Sequence, residues 1–330
     1  MAHYPLGIAY VGVGGYADAV LGGSGNRDLI SIRGVFDVNA EAAGKKAAQY
    51  GCPVYRSFDE VLADPAVDAV AFTLPPHENL PHVRRAAQSG RHCFVAKPIA
   101  LTVRDGRAMD EACRKAGVVL LVGHTDRRRS EARAARKILE EGTLGQVVLF
   151  EANSSHSGGW RLPPGHWRAD RGRCPVVPLT MLGIHMLDTM NYLIGPATAA
   201  SAVHRHTAMP ADNEDVAVQI YEMAGGGVAY LGDSYVSPFS YWIRIHGTKA
   251  SLYLERERLT LIRPDVPSAP VVLTPVDTNK ELIEEFARAV VEHAPIETGA
   301  VPSMRALACA EAALRAAASG RREKVEEVAD

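Results

Sequence analysis

Cysteine is scarce and shows no pairing pattern. The five in 330 residues (Cys52, Cys93, Cys113, Cys174, Cys309) are scattered and contain no C-x-x-C pair. An odd, dispersed set excludes a disulfide framework and points to a reducing compartment, so a cytoplasmic location is expected. Long apolar runs are missing too. The tightest, Val118 to Val122, has strand length, far below the roughly 20 residues of a membrane span. Met1-Ala2-His3-Tyr4-Pro5 carries no basic run of the kind that opens a secretory signal. Charge of one sign is lacking: 36 Lys and Arg face 38 Asp and Glu, a formal net charge of −2. That balance excludes a partner held chiefly by charge, so neither nucleic acid nor a bare membrane surface is expected. Aromatics make up only 6%.

Small residues are plentiful, with 29 glycines, and 47% of the chain is hydrophobic. This composition suits helices packed closely on a sheet. At about 150 residues per domain, the length predicts two domains. Residues 1–123 alternate short apolar runs (Leu6–Val13, Gly34–Phe36, Val67–Leu74, His92–Ala96, Val118–Val122) with helical patterns, as a parallel α/β sheet requires. From residue 124 to 330, strand follows strand with few crossover helices, which predicts an α+β domain on an open, mostly antiparallel sheet. The boundary is expected near Gly123. Helices are expected over Asn279–His293 and Ser303–Ser319, followed by a charged tail from Arg321 that frays.

Three local patterns carry chemistry. Gly12-Val13-Gly14-Gly15-Tyr16-Ala17 follows a strand and precedes a helix. Its glycines permit a tight turn and let backbone amides approach a pyrophosphate, with Tyr16 in the same turn. About 20 residues on, Asp37 closes the second strand, where a carboxylate accepts both ribose hydroxyls and repels a 2′-phosphate. NAD is therefore expected over NADP, with Leu74, Pro75 and Pro76 flanking it. Second, Lys97 follows the fourth strand, at the end of the sheet where ligands bind. It is placed to hold a reacting hydroxyl, or it is a surface lysine. Third, His185 and Asp188 sit three apart on a helix and share a face. The histidine is suited to moving a proton near neutral pH, or to a structural hydrogen bond.

The ordered set VGVGGYA, VFDVNAEAAG, VDAVAFTLPP, SGRHCFVAKPIALT, VVLLVGH, GTLGQV, HWRAD, LGIHMLDTMNYLIG and HGTKASLYLE resembles the glucose–fructose oxidoreductase / inositol dehydrogenase (Gfo/Idh/MocA) family across nearly the whole chain. The resemblance implies a Rossmann domain followed by an open-sheet domain. The helix near 303–319 would pack back on the first domain. A homo-oligomer would form through the second-domain sheet. It also implies an NAD(P)-dependent dehydrogenase or reductase acting on the secondary alcohol or ketone of a sugar, cyclitol or glycoside. Lys97 and His185 fall on the family's active-site lysine and histidine, Asp37 on its nucleotide carboxylate, and His124 beside the substrate.

The chain departs from the family at three positions. Ala96 replaces the Glu before the lysine, Met181 the Asp four residues before the histidine, and Asn79 the histidine after the Pro-Pro turn. These losses leave open altered chemistry on tightly held NAD, or a decayed binding protein. The loop GGWRLPPGHWR supplies the remaining substrate candidates. Trp160 and Trp167 can stack on a sugar ring, while His166 and Arg168 can bond its hydroxyls. The run Arg127-Arg128-Arg129 reads as a solvated helix start or a substrate-anion contact. No ligand spacing for a metal is present, and none is expected.

Overall fold

A computed structural model of the chain describes residues 2–163 and 165–329. Pro164, within the candidate substrate loop, lies outside the described residues. The chain divides into two units: Met1–Gly123 with Asp277–Ser303, and His124–Val276 with Met304–Asp330.

The first unit is a five-stranded parallel sheet. Its elements run β1 (Leu6–Val11), α1 (Ala17–Gly23), β2 (Ile30–Phe36), α2 (Ala40–Tyr50), α3 (Phe58–Ala63), β3 (Ala69–Phe72), α4 (Pro76–Gln88), β4 (His92–Ala96), α5 (Val103–Ala116) and β5 (Leu120–Gly123). The strand order is β2-β1-β3-β4-β5. β1 reads LGIAYV and is buried throughout, an unalternating run of the kind that a strand covered on both faces needs. Side-chain caps start α2 and α5: Asn39 accepts the Ala42 N–H at 3.0 Å and Thr102 that of Asp105 at 3.1 Å, each worth about 1 kcal/mol. α4 begins at Pro76, earlier than the sequence pattern suggested, because proline's fixed φ suits a helix's first position.

The segment that joins this unit from the far end of the chain is 277–303. Leu282, Ile283, Phe286, Ala287 and Val290 of the helix Thr278–Val291 enter the same core as Leu21 and Phe94. Thr298 then binds β5 from outside, its hydroxyl donating to the Val122 carbonyl at 2.7 Å and its carbonyl accepting the Val122 N–H at 2.8 Å. The helix Ala300–Ser319 falls in the second unit from Met304 onward. There the Tyr221 hydroxyl donates to the Cys309 carbonyl at 3.2 Å.

The second unit contains α6 (Ser130–Glu140), β6 (Val147–Ser155), α7 (Ile184–Ile194), β7 (Ala197–Arg205), β8 (Val216–Met223), β9 (Val228–Ser234), β10 (Ser240–Gly247), β11 (Ser251–Glu255), β12 (Arg258–Arg263) and β13 (Val266–Pro270). Its sheet runs β13-β12-β11-β10-β6-β9-β8-β7, closed by the short strand Glu323–Lys324. β6 and β9 pair in parallel, and the neighbouring pairs are antiparallel. β12 and β13 were not anticipated, because the turns before and between them place Glu257 and Asp265, not glycine, at positive φ. The tail does not fray as expected. Val325 donates to Thr198 at 2.9 Å, and Val325 and Val328 are buried, which anchors it. Among the described residues, no helix is long and apolar enough to cross a membrane.

Candidate active site

In the first unit, β1 stops at Val11 and the chain turns at Gly12, whose φ is +82°. A Cβ there would lie 2.9 Å from Leu74 Cδ2 and 3.0 Å from the Thr73 carbonyl, while the Thr73 hydroxyl donates to the Gly12 carbonyl. Only glycine suits this conformation and this contact. Gly14 and Gly15 are exposed and nothing lies within 4 Å of where their Cβ atoms would be. Bare backbone amides facing open space fit a pyrophosphate. Tyr16 turns away from it, its hydroxyl donating to Asn279 at 3.1 Å.

Asp37 stands beside this turn. One carboxylate oxygen accepts the Val13 N–H at 2.7 Å and the other the Asn39 N–H at 2.8 Å. Each oxygen keeps a lone pair, so the carboxylate is held in place and still able to accept a vicinal diol. Val38, next to it, is 96% exposed. Such an isolated apolar side chain carries no sequence signal of its own. Leu74 and Pro75 are half-buried at the end of β3, and Pro76 is buried at the start of α4.

Lys97 follows β4 directly and is half-buried. Its turn, with a cis Lys97–Pro98 bond, is fixed by Asn79: the amide donates to the carbonyls of Ile99 at 3.0 Å and Pro98 at 3.3 Å. The residue standing in the family's histidine position thus braces the lysine's loop. Sequence reading registered Asn79 only as a departure.

In the second unit, His185 lies in the first turn of α7. The approach to it is irregular. Val176 has a φ of +52°, an outlier for a β-branched residue that costs on the order of 1–3 kcal/mol. A π-helical turn follows at Leu179–Gly183, a form found mostly as single turns and frequently at functional sites. Met181 lies within it. A Cβ on Gly183 would sit 2.7 Å from a carboxyl oxygen of Asp233, so only glycine lets this turn rest on β9. Burial pushes the Asp233 carboxyl well above the carboxylate range.

A 3₁₀ turn, Asp126–Arg128, packs on α7. Asp188, which shares a helix face with His185, is bound by an arginine. Arg127 holds it in a buried bidentate pair, at 2.7 and 2.5 Å, and His124 Nδ1 lies 3.6 Å from it. The His124 and His185 rings meet edge to face, 6.4 Å between centroids. Of the two readings open for the arginine run, a solvated helix start does not hold: Arg127 and Arg128 are buried and Arg129 is half-buried. Its backbone turns inward between β5 and α6, and the carboxylates of Asp188 and Asp126 receive Arg127 and Arg129.

The candidate substrate loop is held by contacts of its own residues. Trp160 is 52% exposed, its indole N–H donating to the Val236 carbonyl at 3.0 Å. Trp167 stacks on His166 at 5.8 Å under the Arg168 guanidinium at 5.1 Å. Burial, and then Arg168, lower the His166 pKa. Asn213, fully buried, donates to the carbonyls of Arg168 and Cys174 at 2.9 and 2.8 Å and closes the loop. Trp160 therefore presents an open ring, while Trp167 is partly covered by its neighbours. Among the described residues, Glu281, Glu285 and Glu297 bring carboxylate oxygens within 4.8 Å of one another, but these are partly exposed acids with no further ligand.

Residues 6–124 match the sequence profile of the Gfo/Idh/MocA oxidoreductase family, NAD-binding Rossmann fold, and residues 132–253 that of the family's C-terminal domain. The chain is 27% identical to a 1,5-anhydro-D-fructose reductase of Ensifer adhaerens, covering 82% of this chain and 83% of that one. It is 28% identical to an inositol 2-dehydrogenase of Rhizobium meliloti, covering 90% and 92%. A solved oxidoreductase of Desulfitobacterium hafniense, described as NADPH-dependent, superposes with a TM-score of 0.92 at 25% identity over 98% of both chains. This chain belongs to the Gfo/Idh/MocA family and is an NAD-binding oxidoreductase.

Proposed function

We propose that the protein oxidises a secondary alcohol of a sugar, cyclitol or glycoside, or reduces the matching ketone, with NAD preferred over NADP. The observation that carries this is the first unit's sheet end. There a bare glycine turn, a pre-oriented Asp37 and Lys97 follow three strands of one sheet, β1, β2 and β4. The relatives that act on 1,5-anhydro-D-fructose and inositol support a polyhydroxylated substrate. Gly12, Gly14, Gly15 and the backbone at Tyr16 hold the pyrophosphate and Asp37 the ribose. Leu74, Pro75 and Pro76 flank the cofactor, and exposed Val38 offers the adenine an apolar contact. Bound NAD supplies the hydride acceptor. In oxidation, Lys97 holds the hydroxyl oxygen and stabilises its developing charge, while His185 takes the proton. His124, Trp160, His166, Trp167 and Arg168 form the substrate-facing set, with Trp160 the open stacking surface.

The outer face of the second sheet supports a homo-oligomer. Val203, Ile220 and Val228 are 53%, 48% and 42% exposed. They share that face with Trp242 and Tyr253, both under the Arg244 guanidinium.

The decisive experiment incubates the protein with NAD or NADP against a panel of sugars, cyclitols and their ketones, following reduced-nicotinamide absorbance. Lys97→Ala and His185→Ala are each expected to lower turnover by about 10²–10⁴-fold with NAD affinity largely retained. Undiminished turnover in either variant overturns that residue's role. A preference for NADP overturns the reading of Asp37.

A further inference from the structure

Two bonds fix the Trp160 ring. The Gly159 N–H donates to the Tyr235 carbonyl at 2.7 Å, and the indole N–H to the next carbonyl, Val236, at 3.0 Å. Only glycine fits at 159, since a Cβ there would lie 2.8 Å from the Tyr235 carbonyl oxygen. The ring so held stays 52% exposed. Among the described residues, no aromatic ring or guanidinium lies over it, whereas Phe239, three residues past Val236, carries Arg256 at 4.9 Å. This platform is joined to the turn that delivers His185. Leu162 and Val236 pack with Met181 and Leu182 of that turn on the buried apolar cluster around Val177 and Tyr235. Gly183 itself rests on Asp233. From there to the Val236 carbonyl is three residues of chain, up to about 10 Å, and two linked sugar rings cover such a distance.

We propose that Trp160 receives a second sugar ring, so that the substrate is a glycoside of at least two rings with the ring to be oxidised at His185. This rests on the reading of His185 as the proton acceptor and narrows the substrate class given above. The C–H face of a pyranose is apolar and covers an indole ring, while its hydroxyls project at the rim. Beside Trp160 that rim is polar: Arg161 is exposed, and Ser237, next to Val236, presents a hydroxyl bonded to that of Ser234 at 2.6 Å. A protein surface fits the position less well. It needs a contiguous apolar patch, and here Leu162 is turned into the cluster while Arg161 stands beside the ring.

The test compares one ring with two in the NAD-loaded protein. D-glucose, D-galactose and D-xylose are set against cellobiose, maltose, lactose and xylobiose, following reduced-nicotinamide absorbance. The best disaccharide is expected to exceed the best monosaccharide in kcat/KM by at least about tenfold. Trp160→Ala should bring that ratio to within about twofold, and Trp160→Phe should restore most of it. A ratio near one in the unmodified protein, or one that Trp160→Ala leaves unmoved, overturns the second-ring site. Loss of self-association in Trp160→Ala with the ratio unmoved would assign the ring to a contact between copies instead. Binding gives a second readout. In ¹⁵N-tryptophan-labelled protein with NADH, the Trp160 indole resonance, assigned with Trp160→Phe, must shift with a disaccharide at concentrations where the monosaccharides leave it in place. Equal or absent shifts overturn the proposal. Turnover of monosaccharides with Trp160 unshifted leaves the oxidoreductase reading standing and removes this one. A Trp160 shift on disaccharide with no sugar turned over does the reverse.

Discussion

Where β1 runs into Gly12, the functional surface is backbone: bare amides, a φ only glycine adopts freely, and one carboxylate fixed by two N–H donors. Around His185 it is side chain: a buried Arg127–Asp188 pair, an Asp126 carboxylate receiving Arg129, an Asp233 carboxyl raised by burial, and two histidines edge to face. The first region is open, and its chemistry depends on small residues staying small. The second is crowded, and its chemistry depends on which buried charges are paired. A phosphate can be recognised by geometry that any chain with the right glycines provides. Moving a proton needs a tuned electrostatic setting, which long-range packing must assemble. The two regions should therefore fail differently when a methyl group is added to each.

Gly12→Ala should have the largest effect. The added carbon meets Leu74 and the Thr73 carbonyl at a φ of +82°, so the turn must shift. NAD affinity is expected to fall by at least about tenfold, with a loss of stability of about 1–3 kcal/mol. Fluorescence titration with NADH and denaturant unfolding measure both, and an affinity within twofold of the parent would contradict the backbone cradle. Gly183→Ala should act on the other region alone. Its Cβ meets the buried Asp233 carboxyl and displaces the π-helical turn before His185. Steady-state assays should show kcat reduced by about tenfold, within the roughly 100-fold that a 1 Å misplacement can cost, with NADH affinity unchanged. A loss of NADH affinity instead would mean the two regions are not separable in this way.

The same contrast explains what the sequence disclosed. The glycine turn, Asp37 and Lys97 were legible because each is tied to the end of a strand, and period and turn residues locate strand ends. The parallel-then-antiparallel order of strands was legible for the same reason. Asp126 was not. It stands at the head of an arginine run that reads as solvent-facing, and only the packing of its turn on α7 reverses that. Val176 and the π-helical turn leave no composition signal, since valine at positive φ is what propensity argues against. Asn79, read as a lost histidine, became a brace only once its two carbonyl partners were seen. Asp188 shows the limit of local spacing: it shares a helix face with His185, but its partner is an arginine 61 residues away.

Asp233 gives the sharpest test of the crowded region. In the unfolded chain its carboxyl ionises near the ordinary 3.8, while burial keeps it protonated in the fold against a weaker opposing hydrogen bond from the Ser154 backbone. Above about pH 3.8 the folded state therefore holds a proton that the unfolded state has released. Stability should then decline with rising pH by up to about 1.4 kcal/mol per unit until the folded group ionises. Asp233→Asn removes that slope. It should stabilise the protein at pH 7, less at pH 5, and not at all below about pH 3.8, as measured by thermal unfolding across that range. A constant difference at every pH would mean that Asp233 ionises alike in the folded and the unfolded chain, so that burial does not raise its carboxyl. A pH-dependent difference would show that the second unit keeps a destabilising acid directly under the turn that carries His185, whereas the glycine turn of the first unit rests on no such group.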